Sequence, residues 1–330
     1  MRAYNGRVLT AHVRYADGTF ETSQSLIEAA RALREPNSQI WLDMEEPDEW
    51  TLALLGEAFS LHPLAIEDCL HGEQRPRIDP YDGYIFMVLY TPMLSEERDF
   101  IGSRELAIFC SSQYIITIHH EPMESLQAIH DRCGRDAENV LGRGMDHLLH
   151  MIADRLMDGY QPFLDRLESE AAQLEDEALF DPQDDILERI SNIRTEMLQA
   201  RRYLTPQREA LAQLARGEYA FIGKNIRPYF RDVLDHLVRI NEDLDLYREQ
   251  VTSARELFMS AMSQRSNDSI KVFTVIATLM MPPTLVASIY GMNFKLWPPG
   301  DHEYAFWIVV GSMAAITGIL AWYFRRWEWF

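Results

Sequence analysis

The run from Val272 to Phe294 carries no charged side chain and closes on Tyr290-Gly291-Met292-Asn293-Phe294. At ~1.5 Å per helical residue, a run of this length crosses a hydrocarbon layer of ~30 Å. A second uncharged run, Tyr304 to Phe324, follows after the connection Lys295 to Glu303, which is too short for anything but a tight hairpin loop. Two spans return the chain to the side it left. Lys271 precedes the first and Arg325-Arg326 follow the second, whereas the connection holds one Lys, one Asp and one Glu. The positive-inside rule therefore predicts cytoplasmic N- and C-termini, with the loop 295–303 outside and 325–330 a cytoplasmic tail.

About four fifths of the chain precedes the first span, and no earlier run is long and apolar enough to cross a membrane. The opening residues, Met1-Arg2-Ala3-Tyr4-Asn5-Gly6, lack the apolar core of a signal peptide, so this large portion is expected in the cytosol. Cys69, Cys110 and Cys133 show neither CxxC nor paired-histidine spacing, which points to idle thiols in a reducing compartment. The formal net charge is −20, almost all of it ahead of the spans. That balance excludes nucleic acid and anionic lipid as main partners, because phosphates are neutralised by Lys and Arg patches. It suits cations.

Residues 1–144 mix strand and helix patterns. Arg7 to Tyr15 reads as a strand turned at Asp17-Gly18 into Thr19 to Thr22, and Ser23 to Leu33 has helical spacing. Ile40 to Met44 is a short strand, Asp48 a helix cap, and Tyr84 to Tyr90 an unbroken apolar strand covered on both faces. Glu105 to Cys110 and Tyr114 to His119 complete a sheet with helices on its faces, an α/β or α+β domain. Residues 145–228 turn helical and charged. From Glu168 to Glu188 there are nine acidic residues and no basic one, with a turn at Asp181-Pro182. This is either the solvated face of a helical hairpin or a surface that gathers divalent cations through carboxylate oxygens. After Pro228 a last helix, 229–294, is expected to run as a stalk into the first span, with 304–324 as the second. So long an isolated helix needs partners, and a bundle of identical stalks follows.

At heptad spacing the membrane end of that stalk shows two linked rows: Asn267, Thr274, Met281, Ser288, and Ile270, Ala277, Thr284, Gly291. Together they form a seam of mostly small or polar residues. Small residues allow close helix packing in lipid; the same seam, repeated by several copies around an axis, would line water. Pro282-Pro283 frees the carbonyls of Thr278 and Leu279, which is costly against lipid and tolerable beside a wet cavity. Asn293 at the outer end offers a neutral hard acceptor, and a ring of such amides suits the water shell of Mg²⁺, which dehydrates reluctantly.

These features resemble the CorA family of two-span Gly-Met-Asn divalent-cation channels. The resemblance is carried by Asn267 with Ile270-Lys271-Val272-Phe273-Thr274, by the segment Met281-Pro282-Pro283 through Gly291-Met292-Asn293-Phe294, and by Arg325-Arg326-Trp327. It extends to Leu61-His62-Pro63-Leu64-Ala65-Ile66-Glu67-Asp68, Arg75-Pro76-Arg77, and Pro228 to Asp232 with Asp235-His236. It implies a homopentameric funnel in the cytoplasmic membrane, with an N-terminal α/β domain, a long stalk helix lining the pore, and an outer ring of second helices. Gly291, Met292 and Asn293 would select hydrated Mg²⁺. Thr284 and Met281 would line the upper path, Ile270 and Phe273 the apolar constriction, and Asn267 its cytoplasmic end, with Ala277 also facing the pore. Phe273 lies off the heptad seam and enters only through the resemblance.

Regulatory cations would bridge neighbouring cytosolic domains at Asp232, and Glu256 would sit at the cytoplasmic pore mouth. The partner aspartate of the regulatory site aligns with Ser95, a departure, with Glu96 and Glu97 adjoining it. The loop departs too: Leu296-Trp297-Pro298-Pro299 replaces a segment that usually carries a glutamate, leaving Asp301 and Glu303 either to draw cations or simply to solvate the loop. The expected function is uptake of Mg²⁺, with Co²⁺ or Ni²⁺, gated by the same ions. A zinc transporter of the ZntB type, proton-coupled or not, is the alternative, favoured by His302 and the missing loop glutamate. A membrane-anchored enzyme or receptor is a third reading, weakened because His119-His120 with Glu121-Pro122 forms no metalloprotease motif and no Walker segment is present.

Overall fold

The computed structural model describes residues 8–72, 74–95, 100–180, 182–183, 185–292 and 304–327. By compactness the chain divides into two units: Met1–Glu175 with Asp185–Ser253, and Asp176–Asp184 with Ala254–Phe330.

The first unit is built on a seven-stranded sheet. Its strands are β1 (Val8–Arg14), β2 (Phe20–Ser23), β3 (Gln39–Glu45), β4 (Arg77–Tyr81), β5 (Tyr84–Leu94), β6 (Phe100–Ser111) and β7 (Tyr114–His119). They lie in the order β2-β1-β3-β7-β6-β5-β4, with β3 and β7 parallel and every other neighbouring pair antiparallel. Between the strands run α1 (Leu26–Ala32), α2 (Glu49–Phe59) and α3 (Pro63–His71). After them come α4 (Glu124–Arg135), α5 (Ala137–Val140), α6 (Met145–Asp158), α7 (Gln161–Phe180), α8 (Ile186–Arg216), α9 (Arg227–Tyr290) and α10 (Ala305–Arg326).

Local chemistry sets the boundaries. Asp48 caps α2 by accepting the Thr51 N–H at 2.8 Å, and His62 does the same for Leu64 ahead of Pro63 in α3. Gly217 stops α8 at a φ of 69°, where a Cβ would run into the Arg227 guanidinium.

Alternation along the strands buries both faces of the sheet. Ala11, Leu42, Phe86, Phe109 and Ile116 point to one core with Ala29 of α1, Leu52 and Leu55 of α2 and Ala65 of α3. Each of the larger side chains among them, Leu42, Leu52, Leu55, Phe86, Phe109 and Ile116, contributes roughly 1.5–3 kcal/mol on burial. The other face is covered by α4, α6 and α8. Tyr84 to Tyr90 is buried throughout, as its unbroken apolar pattern requires. Where β4 ends, the Tyr90 N–H would face the core unpaired; the fully buried Gln207 of α8 accepts it at 2.7 Å.

The second face also holds a buried polar relay. His130 of α4 donates to Asp43 at 2.8 Å and stacks on Trp41 at 4.1 Å between centroids. His130 Nδ1 lies 2.9 Å from His12 Nε2, and His12 Nδ1 lies 3.0 Å from the Thr22 hydroxyl, so the chain of contacts runs from Asp43 through both rings to β2. Thr117 donates to Asp43, and Trp41 Nε1 donates to Thr117 at 3.1 Å. His119 faces two acceptors, the Glu121 carbonyl at 2.7 Å and Asp43 at 3.4 Å.

The charges follow from these contacts. Burial would raise the Asp43 pKa, but hydrogen bonds and charge from His119 and His130 outweigh it and hold the carboxyl well below its usual range. Burial likewise opposes charge on His119, and Asp43 outweighs it, so this pKa is raised. For His12 burial dominates, with His130 adding to it against a smaller pull from Asp43, and the pKa falls to about 4. The histidine pair 119-120 is therefore structural: His120 Nε2 lies 3.0 Å from the Cys69 carbonyl.

In the first unit the early part of α9 presents Phe230, Val233, Leu237, Ile240, Leu244 and Val251 as a buried stripe at helical spacing. The second unit has no comparable interior among the described residues. Its two long helices reach mean hydropathies of 1.8 and 1.7 over their most apolar stretches, of which 6 % and 0 % is buried. Apolar surface this extensive needs lipid or further protein to cover it, and both helices are long enough to cross a bilayer.

Candidate functional site

The stalk pattern folds as one helix, α9, that continues through Pro282-Pro283 to Tyr290. All eight seam positions, Asn267, Thr274, Met281, Ser288, Ile270, Ala277, Thr284 and Gly291, lie on the outside of the helix with little or no cover, while Val275 on another side is fully buried. Three hydroxyls on the seam are tied to the helix itself: Thr274 donates to the Ile270 carbonyl, Thr284 to Met280 and Ser288 to Thr284, each at 2.8 Å. Gly291 and Met292 end the helix through N–H bonds to the carbonyls of Ala287 at 2.9 Å and Ile289 at 3.2 Å. Phe273 is 71 % exposed and stands at the edge of the seam.

A second arrangement lies between α6 and α9 in the first unit. Asp154 and Asp158 of α6 and His236 of α9 bring one ligand atom each within 4.8 Å of one another. The electrostatic coupling includes Asp232, one turn before His236, and His150, one turn before Asp154. Burial raises the Asp154 pKa, and the neighbouring charge of Asp158 adds to it. Burial lowers that of His150 against the pull of Asp154 and Asp232. The His150 ring packs edge-on against Tyr229 and Phe230, at 5.4 and 5.8 Å between centroids. Two carboxylates and an imidazole converging this closely form a candidate centre for a divalent cation: the oxygens suit Mg²⁺, and the nitrogen favours Co²⁺, Ni²⁺ or Zn²⁺.

Residues 36–326 match the family described as CorA-like Mg2+ transporter protein. The chain belongs to the CorA family. It is 27% identical over 304 residues to the cobalt/magnesium transport protein CorA of Thermotoga maritima, covering 92% of this chain and 87% of the relative. A zinc transport protein ZntB from Pectobacterium carotovorum is also similar, 25% identical over 185 residues and 54% of each chain. Among solved structures, the complete CorA magnesium transporter of Methanocaldococcus jannaschii superposes with a TM-score of 0.85 at 22% identity, covering 98% of this chain and 99% of that one. The CorA-type fold is thus present from the soluble α/β domain through the long helix to the two apolar C-terminal helices. The protein is a divalent metal ion transporter of the CorA type, and not an enzyme.

Among the CorA-type features expected from the sequence, Gly291 and Met292 fall at the outer end of α9, whereas Asn293, Asp301, Glu303 and Glu96 lie outside the described residues. Glu256 and Asp232 are exposed on α9. Sequence reasoning missed Asp154, Asp158 and the role of His236. The available signal was a pair of four-residue spacings, Asp154 with Asp158 and Asp232 with His236, each placing two potential ligands on one helix face.

Proposed function

We propose that five copies of the chain assemble in the cytoplasmic membrane, termini in the cytoplasm, and conduct hydrated Mg²⁺, with Co²⁺ or Ni²⁺, along an axis lined by the α9 seam. The observation that carries this reading is that the small and polar seam positions fall on one face of a helix long and apolar enough to cross a membrane, and none of the described residues covers them. Gly291, Met292 and Asn293 form the selecting ring. Asn267, Ile270, Phe273, Ala277, Met281 and Thr284 line the path, Glu256 its cytoplasmic mouth, and Asp301 with Glu303 concentrate cations outside. A divalent ion moving down the membrane potential gains about 4.6 kcal/mol per 100 mV, so no nucleotide is required.

Closure is assigned to cations held at Asp232, with Glu96 as the sequence-expected partner and the Asp154, Asp158 and His236 cluster adjoining. The full chain in liposomes, under an inward Mg²⁺ gradient, tests this directly: flux is expected, and its absence for Mg²⁺, Co²⁺ and Ni²⁺ alike refutes the reading. Asn293→Ala is expected to cut selective flux roughly tenfold or more while leaving assembly intact. Asp232→Ala is expected to relieve inhibition by Mg²⁺; an unchanged inhibition curve removes Asp232 from the gate.

Zinc transport is the second reading, favoured by the loop that lacks the usual glutamate and carries His302. Zn²⁺ flux that exceeds Mg²⁺ flux and rises with an inward proton gradient would select it.

A further inference from the structure

We propose that the end of α7, Leu179-Phe180, is a membrane-surface contact seated at the boundary between lipid headgroups and acyl chains. Phe180 is 81 % exposed and Leu179 53 %, although Ala178 immediately before them is fully buried. The chain therefore turns two large apolar side chains outward where a solvated helix end would carry polar ones. Their position within the second unit says what meets them. Leu179 and Pro182 line a cavity of about 600 Å³ together with Ala261, Arg265, Asp268 and Val272 of α9. Val272 opens the uncharged run, and from Val272 to Tyr290 α9 rises about 27 Å, close to the thickness of a hydrocarbon core. Val272 is thus at the edge of that core, and the α7 end beside it is at the level of the headgroups.

The side of α9 agrees. At about 100° per residue, the cavity-lining positions 261, 265, 268 and 272 lie roughly opposite the seam through Asn267, Ile270, Thr274 and Ala277. The α7 end lies on the side away from the seam, where lipid stands if the seam faces the axis. That step rests on the pore reading; the level relative to the bilayer rests only on the span. The charge selects the lipid. Glu175, Asp176 and Glu177 precede the apolar pair and disfavour an anionic surface, so the surface that fits is zwitterionic, with ammonium groups available to the carboxylates.

The test uses the full chain carrying Phe180→Cys. Cys69, Cys110 and Cys133 are all buried, so a nitroxide reagent labels position 180 selectively. In vesicles of phosphatidylethanolamine and phosphatidylcholine, the ratio of collision with oxygen to collision with chromium oxalate is expected to be severalfold higher at 180 than at Ser169→Cys, an exposed position about 16 Å back along α7. Equal ratios place the α7 end in water and overturn the proposal. Spin–spin broadening at 180 that disappears on dilution with unlabelled protein assigns the pair to a second copy, and overturns it as well. Leu179→Cys gives the same reading should the first variant fail to assemble. Metal flux measured in the same vesicles separates the two ideas: a raised ratio without flux defeats the pore alone.

Discussion

Strand β5 and helix α10 are both continuous apolar stretches, and they come to opposite ends. Tyr84 to Tyr90 is hidden to 5 % exposure or less, whereas Phe306, Trp307 and Ile308 are 67 %, 69 % and 55 % exposed. Composition does not separate them; length and covering do. Seven residues of strand are short enough for the same chain to cover on both faces, with α6 packed against β5 on one of them. A helix of some twenty apolar residues exceeds what this small unit can cover and is long enough to meet lipid instead. One region completes its burial alone, and the other is finished by its surroundings.

Three measurements press on that contrast. The largest effect is expected for Leu42→Ala, a fully buried position in β3, which should lower the stability of the soluble domain by about 2–5 kcal/mol in denaturant unfolding. A loss below about 1 kcal/mol would mean the core is not closed as described.

The next concerns acid. The His12 pKa is depressed to about 4 in the fold against an ordinary value of 6.5, so the native state resists its protonation. Its stabilising effect is complete above pH 6.5 and is lost as pH falls from there through 4, about 3 kcal/mol at full extent. His119 has the opposite sign: its raised pKa stabilises below 6.5, and that contribution disappears as pH rises through its folded value. Thermal unfolding of His12→Gln between pH 7 and pH 4 should show a flatter acid limb than the parent; parallel curves would remove His12 from the acid response.

The smallest effect is expected for Ile319→Ala on α10, 66 % exposed, at under about 0.5 kcal/mol in lipid, because one apolar neighbour replaces another. A loss comparable to that of Leu42→Ala would show that α10 is packed against protein at that point.

Legibility in the sequence divides along the same line. The spans, the stalk and its seam announce themselves through uninterrupted or periodic pattern, and the caps at Asp48 and the strands around Tyr84 and Tyr114 through local chemistry. Strand β4 stays hidden because Asp79-Pro80 breaks its pattern; it is tolerated at the sheet edge, where only β5 pairs with it. Helices α3 and α4 are likewise hard to see, α3 being legible only as a motif. The parallel pairing of β3 with β7 joins segments far apart in the chain and leaves no mark in either. The cluster of Asp154, Asp158 and His236 is created by the packing of α6 on α9, which no one-dimensional pattern encodes. The Asn293 signal, by contrast, is entirely sequential.

The three hydroxyls bonded back to their own helix carry one more implication. A hydroxyl that has surrendered its proton to a carbonyl four residues earlier retains only lone pairs on its outward side. Water around a cation points its hydrogens away from the ion, and water around an anion points them inward. A conduit walled by Thr274, Thr284 and Ser288 in this state would welcome the first kind of shell and rebuff the second, sorting ions by sign without a single formal charge along its length.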